Sequence, residues 1–323
     1  MTVVVTGGSA GIGRAVALEF ARHGWNIGLI ARAANALDSI GQEIEAHGAE
    51  FAIFPADVAD AEAVFEAANR VVGRWGAIDA WINNAMVSLF APIAQTTPEE
   101  FRRVTEATYL GYVHGTMAAL RHMRPRNAGT IVQVGSALSY RAIPLQAAYC
   151  GAKFAIRGFT DALRSELRHD GSAIRITMLQ LPAVNTPQFD WVRNKLGFRA
   201  QPLPPVHQPE PIAQLIYKAA QSAPRELWLG WPTLKAILAN AAAPTLVDRY
   251  LASSGYAGQH TTEPQPSNPT DNLFVPAASG HATHGRFDQV ARMHLVSFNP
   301  ALLRLVGLIG SLGLAVAIVI MVA

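Results

Sequence analysis

The sequence is poor in cysteine and in charge. Its single cysteine, Cys150, excludes an intrachain disulfide and gives no indication of an oxidising compartment. Because no histidine lies near it in sequence, we interpret Cys150 as a small buried residue rather than a nucleophile. Charged residues make up only 15% of the 323 residues, and the formal net charge of +3 is too small to indicate nucleic acid as a partner.

Two further features are missing. The ten histidines are scattered without the spacing of metal ligands, so no metal site is expected. No charged leader precedes the apolar strand predicted at Val3 to Val5, and we expect no signal peptide.

The C-terminal residues have a strong apolar bias. Residues 302–323 carry one charge, Arg304, and a helix of that length spans roughly 33 Å, enough to cross a hydrocarbon core. We predict a transmembrane helix there, with a buried core helix as the alternative. Arg286 and Arg292 precede the span and Arg304 lies near its start, which predicts that the remainder of the chain faces the cytoplasm.

The N-terminal residues predict a strand, a glycine-rich turn and a helix. Gly7, Gly11 and Gly13 follow the apolar run and precede the periodic positions of the helix. Glycines permit tight turning and let backbone N–H groups approach a pyrophosphate at the positive end of a helix. The strand–turn–helix context favours a dinucleotide site over a chance match.

The polar residue after the second predicted strand, 26–31, is Arg32. An acidic residue at this distance from the glycines would hold the 2′-hydroxyl of NAD, but none occurs until Asp38. Arg32 offers a fork suited to a 2′-phosphate, which favours NADP(H) over NAD(H), with a solvated arginine as the alternative. Asp57, after the third strand, is either an adenine ligand or a helix N-cap.

Alternation of strands and helices predicts an α/β fold with a Rossmann-type, doubly wound parallel sheet. One helix is predicted over 147–169, following a strand that ends near Ser136. Tyr149 and Lys153 lie four residues apart and therefore share a face of that helix. We expect the ammonium to lower the pKa of Tyr149, which makes the phenol a candidate general acid or base. The Ser136 hydroxyl is a candidate for steadying the oxygen that gains charge.

Together these motifs resemble the classical short-chain dehydrogenase/reductase family over roughly residues 1–231. The resemblance is carried by Thr6-Gly7-x-x-x-Gly11-x-Gly13, Asn83-Asn84-Ala85, Ser136, Tyr149-x-x-x-Lys153 and the segment from Pro182 to Thr186. It implies hydride transfer with a nicotinamide, Tyr149 as general acid, Ser136 on the same oxygen and Lys153 on the ribose. The implied cofactor-binding residues are Thr6, Gly7, Ser9, Gly11, Ile12, Gly13, Arg32, Asp57, Asn84, Tyr149, Lys153, Pro182 and Thr186.

Two positions depart from the family pattern. Met86 follows Ala85 where the family has glycine, and Thr108 stands where the family often has an asparagine that supports a water relay to the lysine. We include Thr108 among the candidate catalytic residues because threonine also holds water. The resemblance further implies a homo-dimer or homo-tetramer associating through helices four and five.

The chain divides into a catalytic domain and a C-terminal extension. We predict the domain at 1–231, an amphipathic extension at 232–256, a flexible linker and juxtamembrane segment at 257–301, and the transmembrane helix at 302–323. Within the domain, 185–205 is an apolar lid, which either lines a pocket for a lipophilic substrate or packs onto the domain. The amphipathic extension lies on a bilayer, forms the substrate entrance or packs onto the domain.

The first functional hypothesis is an NADP-dependent, membrane-anchored oxidoreductase that acts on a small lipophilic carbonyl or secondary alcohol. A membrane-tethered NADP-binding sensor or scaffold without turnover is the second, and an NAD-linked alcohol dehydrogenase is the third. The residues Ser136, Tyr149 and Lys153 favour an enzyme, whereas Met86 and Thr108 are the features that support the sensor.

Overall fold

The computed structural model describes residues 1–266 and 271–303. In these ranges the strands are β1 (Thr2–Thr6), β2 (Asn26–Ala31), β3 (Phe51–Pro55), β4 (Ala80–Asn83), β5 (Leu89–Phe90), β6 (Thr130–Val134), β7 (Arg175–Gln180), β8 (Ala183–Val184), β9 (Arg193–Asn194), β10 (Phe198–Ala200), β11 (Val206–His207), β12 (Glu226–Leu229), β13 (His260–Pro264) and β14 (Ser297–Phe298). The helices are α1 (Gly11–Arg22), α2 (Ala34–Ala46), α3 (Ala61–Trp75), α4 (Pro98–Val104), α5 (Gly111–Met123), α6 (Ala147–His169), α7 (Gln188–Trp191), α8 (Pro209–Ser222), α9 (Gly230–Ala242) and α10 (Pro244–Ser254).

The central sheet has the strand order β14-β12-β7-β6-β4-β1-β2-β3. Neighbouring strands from β12 to β3 are parallel, and β14 pairs antiparallel with β12. Strand order reverses at β1, which lies between β2 and β4, so a crevice opens at the carboxyl ends of these strands. The predicted doubly wound sheet is confirmed, and β14 is a strand that the sequence pattern did not predict.

Helices cover both faces of the sheet. Apolar side chains of α1, α2 and α8 form one core layer, and those of α3, α5 and α6 form the other. Cys150 lies on α6 and is buried, as expected of a small packing residue. The strands are buried on both sides because parallel sheets need helices on each face.

A π-helical turn interrupts the helical run from Pro98 to Met123. Thr97 caps α4 in a capping box with Glu100, and residues Thr105–Leu110 then form a π-helix that continues into α5. A π-turn holds one extra residue, so it rotates the face of the following helix by roughly 100°. The turn therefore decides which side chains of α5 face α6.

The prediction of a flexible linker at 257–301 is wrong for its described part. Strand β13 pairs with β10, β14 pairs with β12, and the N–H of Arg292 donates to the Val206 carbonyl. Leu273 is completely buried. The polar composition was misleading because the segment finds its partners on the catalytic domain and does not need a core of its own.

The amphipathic extension forms the helix pair α9 and α10, which meet at Pro244. Across residues 1–266 and 271–303, none of the helices combines the length and the apolar character that a membrane crossing requires. The transmembrane helix predicted at 302–323 falls, beyond its first two residues, outside the described residues, and it stays a prediction.

Candidate active site

The glycine turn between β1 and α1 leaves no room for side chains. Gly7 has φ +68° and Gly11 has φ +55°, in the left-handed region that favours glycine. A Cβ on Gly13 would lie 2.0 Å from the Gly7 carbonyl oxygen, and a Cβ on Gly7 would lie 2.7 Å from the Cα of Ala85. This bare backbone at a helix N-terminus fits a pyrophosphate group.

Two predicted cofactor residues support the turn from behind. The Thr6 hydroxyl accepts from the Asn84 N–H at 3.0 Å, and the Asn84 amide donates to the carbonyls of Thr6 at 3.1 Å and Gly7 at 3.3 Å. Thr6 itself is 1% exposed, so it joins β1 to β4 and does not line the cleft. Gly13 likewise packs beneath Gly7. Ser9, Gly11, Ile12 and Asn84 line the cleft as predicted.

The adenosine end of the cleft differs from the sequence-based expectation. Arg32 lines the cleft, but its terminal nitrogens donate to the carbonyls of Asn272 at 2.5 Å, Phe274 at 3.3 Å and Leu273 at 3.5 Å. Burial lowers the pKa of this guanidinium. The alternative of a solvated Arg32 is therefore wrong, and the C-terminal segment supplies partners that no local motif indicates.

Asp57 also lines the cleft and is paired. Its carboxylate accepts from Arg103 and from the N–H of Ala59 at 3.0 Å. The N-cap of α3 is Asp60, which accepts from Ala63, so the N-cap alternative for Asp57 is wrong.

Residues 271–288 run along the cofactor cleft as a strap. The Gly11 N–H donates to the Ala282 carbonyl at 2.8 Å, which brings the strap onto the glycine turn. Arg103 donates to the Leu273 carbonyl at 2.8 Å, and His284 contacts Glu210 at 2.6 Å. The sequence analysis missed these contacts because no spacing pattern links residues about 170 or 270 positions apart.

Three of the four predicted catalytic side chains, Ser136, Tyr149 and Lys153, line a single cavity. Tyr149 and Lys153 project from α6, and Ser136 follows the carboxyl end of β6. Gln180 on the neighbouring strand accepts from the Ser136 N–H at 2.9 Å and so fixes the backbone at this point. Pro182 and Thr186 line the same cavity, and Thr186 also lines the cleft at the glycine turn.

The expected lowering of the tyrosine pKa is wrong for this structure. Burial raises the pKa of Tyr149 above its ordinary value, and the Ser136 side chain opposes this rise. The Lys153 ammonium does not offset the burial, because its nitrogen lies 5.5 Å from the centre of the Tyr149 ring and is bonded elsewhere. Burial also lowers the pKa of Lys153 to about 7. Tyr149 is therefore a neutral phenol at neutral pH, and it lies beside a lysine whose charged and neutral forms are both populated there.

Thr108 does not reach the catalytic lysine. Its buried hydroxyl donates to the Val87 carbonyl at 2.8 Å and accepts from the Val87 N–H at 3.1 Å. Lys153 instead donates to the Tyr112 hydroxyl at 3.1 Å and to the Val134 carbonyl at 2.8 Å. The assignment of Thr108 to the catalytic group is therefore corrected, since its hydrogen bonds tie the loop after β4 to the π-turn.

Asn83 has a structural role that the sequence analysis did not describe. It is fully buried, accepts from the Trp81 indole at 2.8 Å, and donates to Gln133 at 2.9 Å and Thr116 at 3.0 Å. These bonds join β4, β6 and α5 directly behind the cleft. Such a satisfied buried network holds the strand ends in one arrangement.

The cavity beyond the catalytic residues has a volume of about 740 Å³. Phe189 of the predicted lid lines it, whereas Trp191 and Val192 are buried, so part of the lid faces the cavity and part packs onto the domain. The apolar side chains of α10 also face the cavity. Its lining includes Ile143, Leu203, Leu246, Val247, Tyr250 and Leu251.

Comparisons with known proteins agree with this geometry. The profile of the family described as short chain dehydrogenase matches residues 1–196. An uncharacterized oxidoreductase of Bacillus subtilis is 31% identical over 83% of this chain and 76% of its own length. Human dehydrogenase/reductase SDR family member 7 is 34% identical over 52% of this chain and 50% of its own length.

Solved structures are also similar. The alcohol dehydrogenase of the archaeon Thermococcus sibiricus, in complex with 5-hydroxy-NADP, superposes with a TM-score of 0.58 at 26% identity, covering 70% of this chain and 94% of that one. A metagenomic short-chain oxidoreductase in complex with NADP superposes with a TM-score of 0.57 at 24% identity, over 68% of this chain and 90% of that one, and this likeness concerns the fold.

Proposed function

The chain belongs to the short-chain dehydrogenase family and is an oxidoreductase acting on CH–OH or C=O groups, and from that premise we propose that it is an NADP-dependent reductase of a small lipophilic carbonyl compound. The observation that carries the proposal is the single cavity lined by Ser136, Tyr149 and Lys153, which adjoins the glycine-lined cleft through Ile12, Asn84 and Thr186. A nicotinamide cofactor held there supplies the hydride.

The protein groups divide the remaining work. Tyr149 gives its proton to the substrate oxygen as negative charge develops there, and Ser136 donates a hydrogen bond to the same oxygen. Lys153 holds the ribose hydroxyls and places a positive charge near the phenol. Pro182 and Thr186 border the nicotinamide end. These roles require Tyr149 and Ser136 to approach one substrate atom, which their shared position on one cavity supports.

The raised pKa of Tyr149 favours the reductive direction. Reduction of a carbonyl requires a phenol that still carries its proton, and burial keeps Tyr149 in that form at neutral pH. Oxidation of an alcohol would need the phenolate as a base, which burial disfavours. The protonated phenol is the form from which the proposed carbonyl reduction starts.

The lining of the cavity supports a lipophilic substrate. A cavity of about 740 Å³ accepts a molecule of drug size, and its walls from the lid and from α10 are mainly apolar. Leu246 and Tyr250 line it while remaining 62% and 67% exposed, so they stand at its mouth. A sugar or a nucleotide would leave many polar groups there without partners.

NADP is the proposed cofactor because Arg32 lies in the adenosine end of the cleft and two similar proteins are solved with NADP or a derivative. The carbonyls of 272–274 that bind Arg32 hold its guanidinium at the cleft wall. Arg32→Ala should weaken NADPH binding by about tenfold or more and leave NADH binding within about twofold, since a charged contact is worth roughly 1.5–3 kcal/mol. Equal losses of affinity for both cofactors would contradict the assignment of Arg32 to the 2′-phosphate.

We further propose that residues 302–323 anchor the enzyme in a membrane with the catalytic domain on the cytoplasmic side. The proposal rests on the apolar sequence and on the basic residues that precede it. Fractionation of cells that express the full chain and a chain ending at residue 303 tests it. Equal amounts of both chains in the membrane fraction would contradict the anchor.

The mechanism is tested by Tyr149→Phe with NADPH and a panel of hydrophobic ketones and aldehydes. Turnover should fall by at least about a thousandfold, because general acid catalysis and the oriented hydroxyl are lost together. Binding of NADPH, followed by its fluorescence, should be retained. Undiminished turnover in this variant would contradict the role of Tyr149. Binding without turnover in the unmodified protein, across the whole panel, would favour the sensor.

A further inference from the structure

The side chain that steadies the catalytic lysine comes from an unexpected position. The Thr108 hydroxyl donates to the Val87 carbonyl and accepts from the Val87 N–H. It is fully buried at that point. The residue that meets Lys153 is Tyr112, four residues further along.

Tyr112, Lys153 and Val134 form a closed triangle of hydrogen bonds. The Tyr112 hydroxyl donates to the Val134 carbonyl at 2.9 Å, and the Lys153 ammonium donates to the same carbonyl at 2.8 Å. Because the only proton of the phenol is used on Val134, its lone pairs face Lys153, which donates to it at 3.1 Å. The lysine nitrogen also lies 4.8 Å from the centre of the Tyr112 ring. Two of the three ammonium N–H bonds are thereby directed, and the third remains for a ligand in the cavity.

From this arrangement we propose that Tyr112 is a positioning residue for the reaction proposed above: its hydroxyl orients the Lys153 ammonium at the cavity and favours the charged form of that ammonium. It acts through Lys153 and has no contact with the substrate. The π-turn at Thr105–Leu110 makes the arrangement possible, because it sets the rotation of α5 and so brings Tyr112 to face α6.

Burial makes this contact consequential. Lys153 is 2% exposed and Tyr112 is 1% exposed, so neither exchanges its partners for bulk water. The titratable side chains that face the ammonium are Tyr112 from α5 and Tyr149 from its own helix, while β6 contributes the Val134 carbonyl. Burial and the neighbouring Tyr149 raise the pKa of Tyr112 well above its ordinary value, so it stays a neutral acceptor. Burial alone lowers the pKa of Lys153 to about 7, so the loss of an acceptor would lower it further.

The test uses Tyr112→Phe, which keeps the ring and removes only the hydroxyl. Tyr109→Phe is the matched control, since Tyr109 packs against the same cluster and does not contact the lysine nitrogen. A lost hydrogen bond to a charged group should lower the pH at which Lys153 loses its proton by about one to two units. For Tyr112→Phe we expect kcat/KM and NADPH affinity about tenfold lower at pH 8 and within about twofold at pH 5. The control should follow the unmodified protein at both pH values.

A second readout needs neither cofactor nor turnover. A lysine with a lowered pKa in the folded state binds fewer protons than in the unfolded chain, so stability rises with pH above the folded pKa. In urea titrations from pH 5 to 9, this rise should begin about one to two units lower in Tyr112→Phe than in the unmodified protein. In a Lys153→Met background, the hydroxyl deletion should leave the shape of the pH profile unchanged.

The outcomes separate this proposal from the proposed function. A rise in stability that begins at the same pH in both proteins, or a loss of activity that is uniform from pH 5 to 8, would reduce Tyr112 to a packing residue and overturn the proposal. Absence of NADPH turnover in the unmodified protein would contradict the proposed function, while the stability profiles would still decide the role of Tyr112.

Discussion

Replacing Leu273 by alanine tests whether the strap is an integral part of the catalytic domain. Leu273 is completely buried among side chains of the loop after β4, α4, the π-turn and α6, including Val87, Val104 and Ala148. The substitution removes three carbons, which is about 2.4 kcal/mol of lost transfer energy at about 0.8 kcal/mol per buried methylene. The cavity left behind raises the expected loss to about 3–5 kcal/mol.

The strap sets an upper limit on that loss. The strap can detach from the domain while the rest of the protein stays folded. If the free energy of this local opening is smaller than the cost of the cavity, the measured loss of stability will equal the free energy of opening. We therefore expect a loss of free energy of unfolding of about 2–4 kcal/mol in urea titrations of the full chain. Hydrogen exchange of peptides within 271–288 should accelerate at the same time, because the carbonyls that bind Arg32 and Arg103 lose their anchor.

Val275→Ala is the matched control. Val275 lies in the same strap and is 68% exposed, so its truncation should change stability by no more than about 0.5 kcal/mol. A loss for Leu273→Ala that is as small as this, with unchanged exchange in 271–288, would refute the packed strap. The segment would then behave as the flexible linker that its composition predicts.

Three further predictions concern the site. Gly13→Ala places a Cβ 2.0 Å from the Gly7 carbonyl oxygen, so calorimetric titration with NADPH should detect no binding; affinity within tenfold of the unmodified protein would contradict the geometry of the turn. Asn83→Ala leaves the Trp81 indole and the Gln133 amide oxygen without these bonds, and the midpoint of urea unfolding should correspond to a loss of about 2–4 kcal/mol, whereas a loss below about 0.5 kcal/mol would show that the network carries no stability. Lys153→Met removes a buried cation whose pKa falls from its ordinary value of 10.5 to about 7 in the folded protein. The variant should therefore exceed the unmodified protein in free energy of unfolding by most at pH 6 and by less toward pH 9. An equal difference at both pH values would exclude the shift.

Local patterns were sufficient for the frame of this protein. The glycine turn, the alternation of strands and helices, and the placement of Tyr149 and Lys153 on one helix face follow from short spacings that constrain the backbone directly. The helix predicted over 147–169 has those bounds in the structure. These features are predictable because each depends on residues within a few turns of the chain.

The catalytic electrostatics depended on burial, which spacing does not reveal. The four-residue separation of Tyr149 and Lys153 predicted a lowered tyrosine pKa, and desolvation reverses its sign. The partners of Lys153 are Tyr112 and Val134, which lie on α5 and β6 and are brought together by the sheet and by a π-turn. A pKa depends on every group around the titrating atom, so only the assembled fold determines it.

The sequence by itself thus determined a nucleotide-binding sheet and its candidate catalytic side chains, because glycine turns and helical periods are local. Only the tertiary structure decided that residues 271–288 lie along the cofactor cleft and hold Arg32, and that Tyr112 faces Lys153 while Thr108 does not. These contacts join positions up to about 270 residues apart, and their energies depend on what burial removes from water. No pattern of neighbouring residues encodes which distant positions meet or how much burial changes the energy of their contacts.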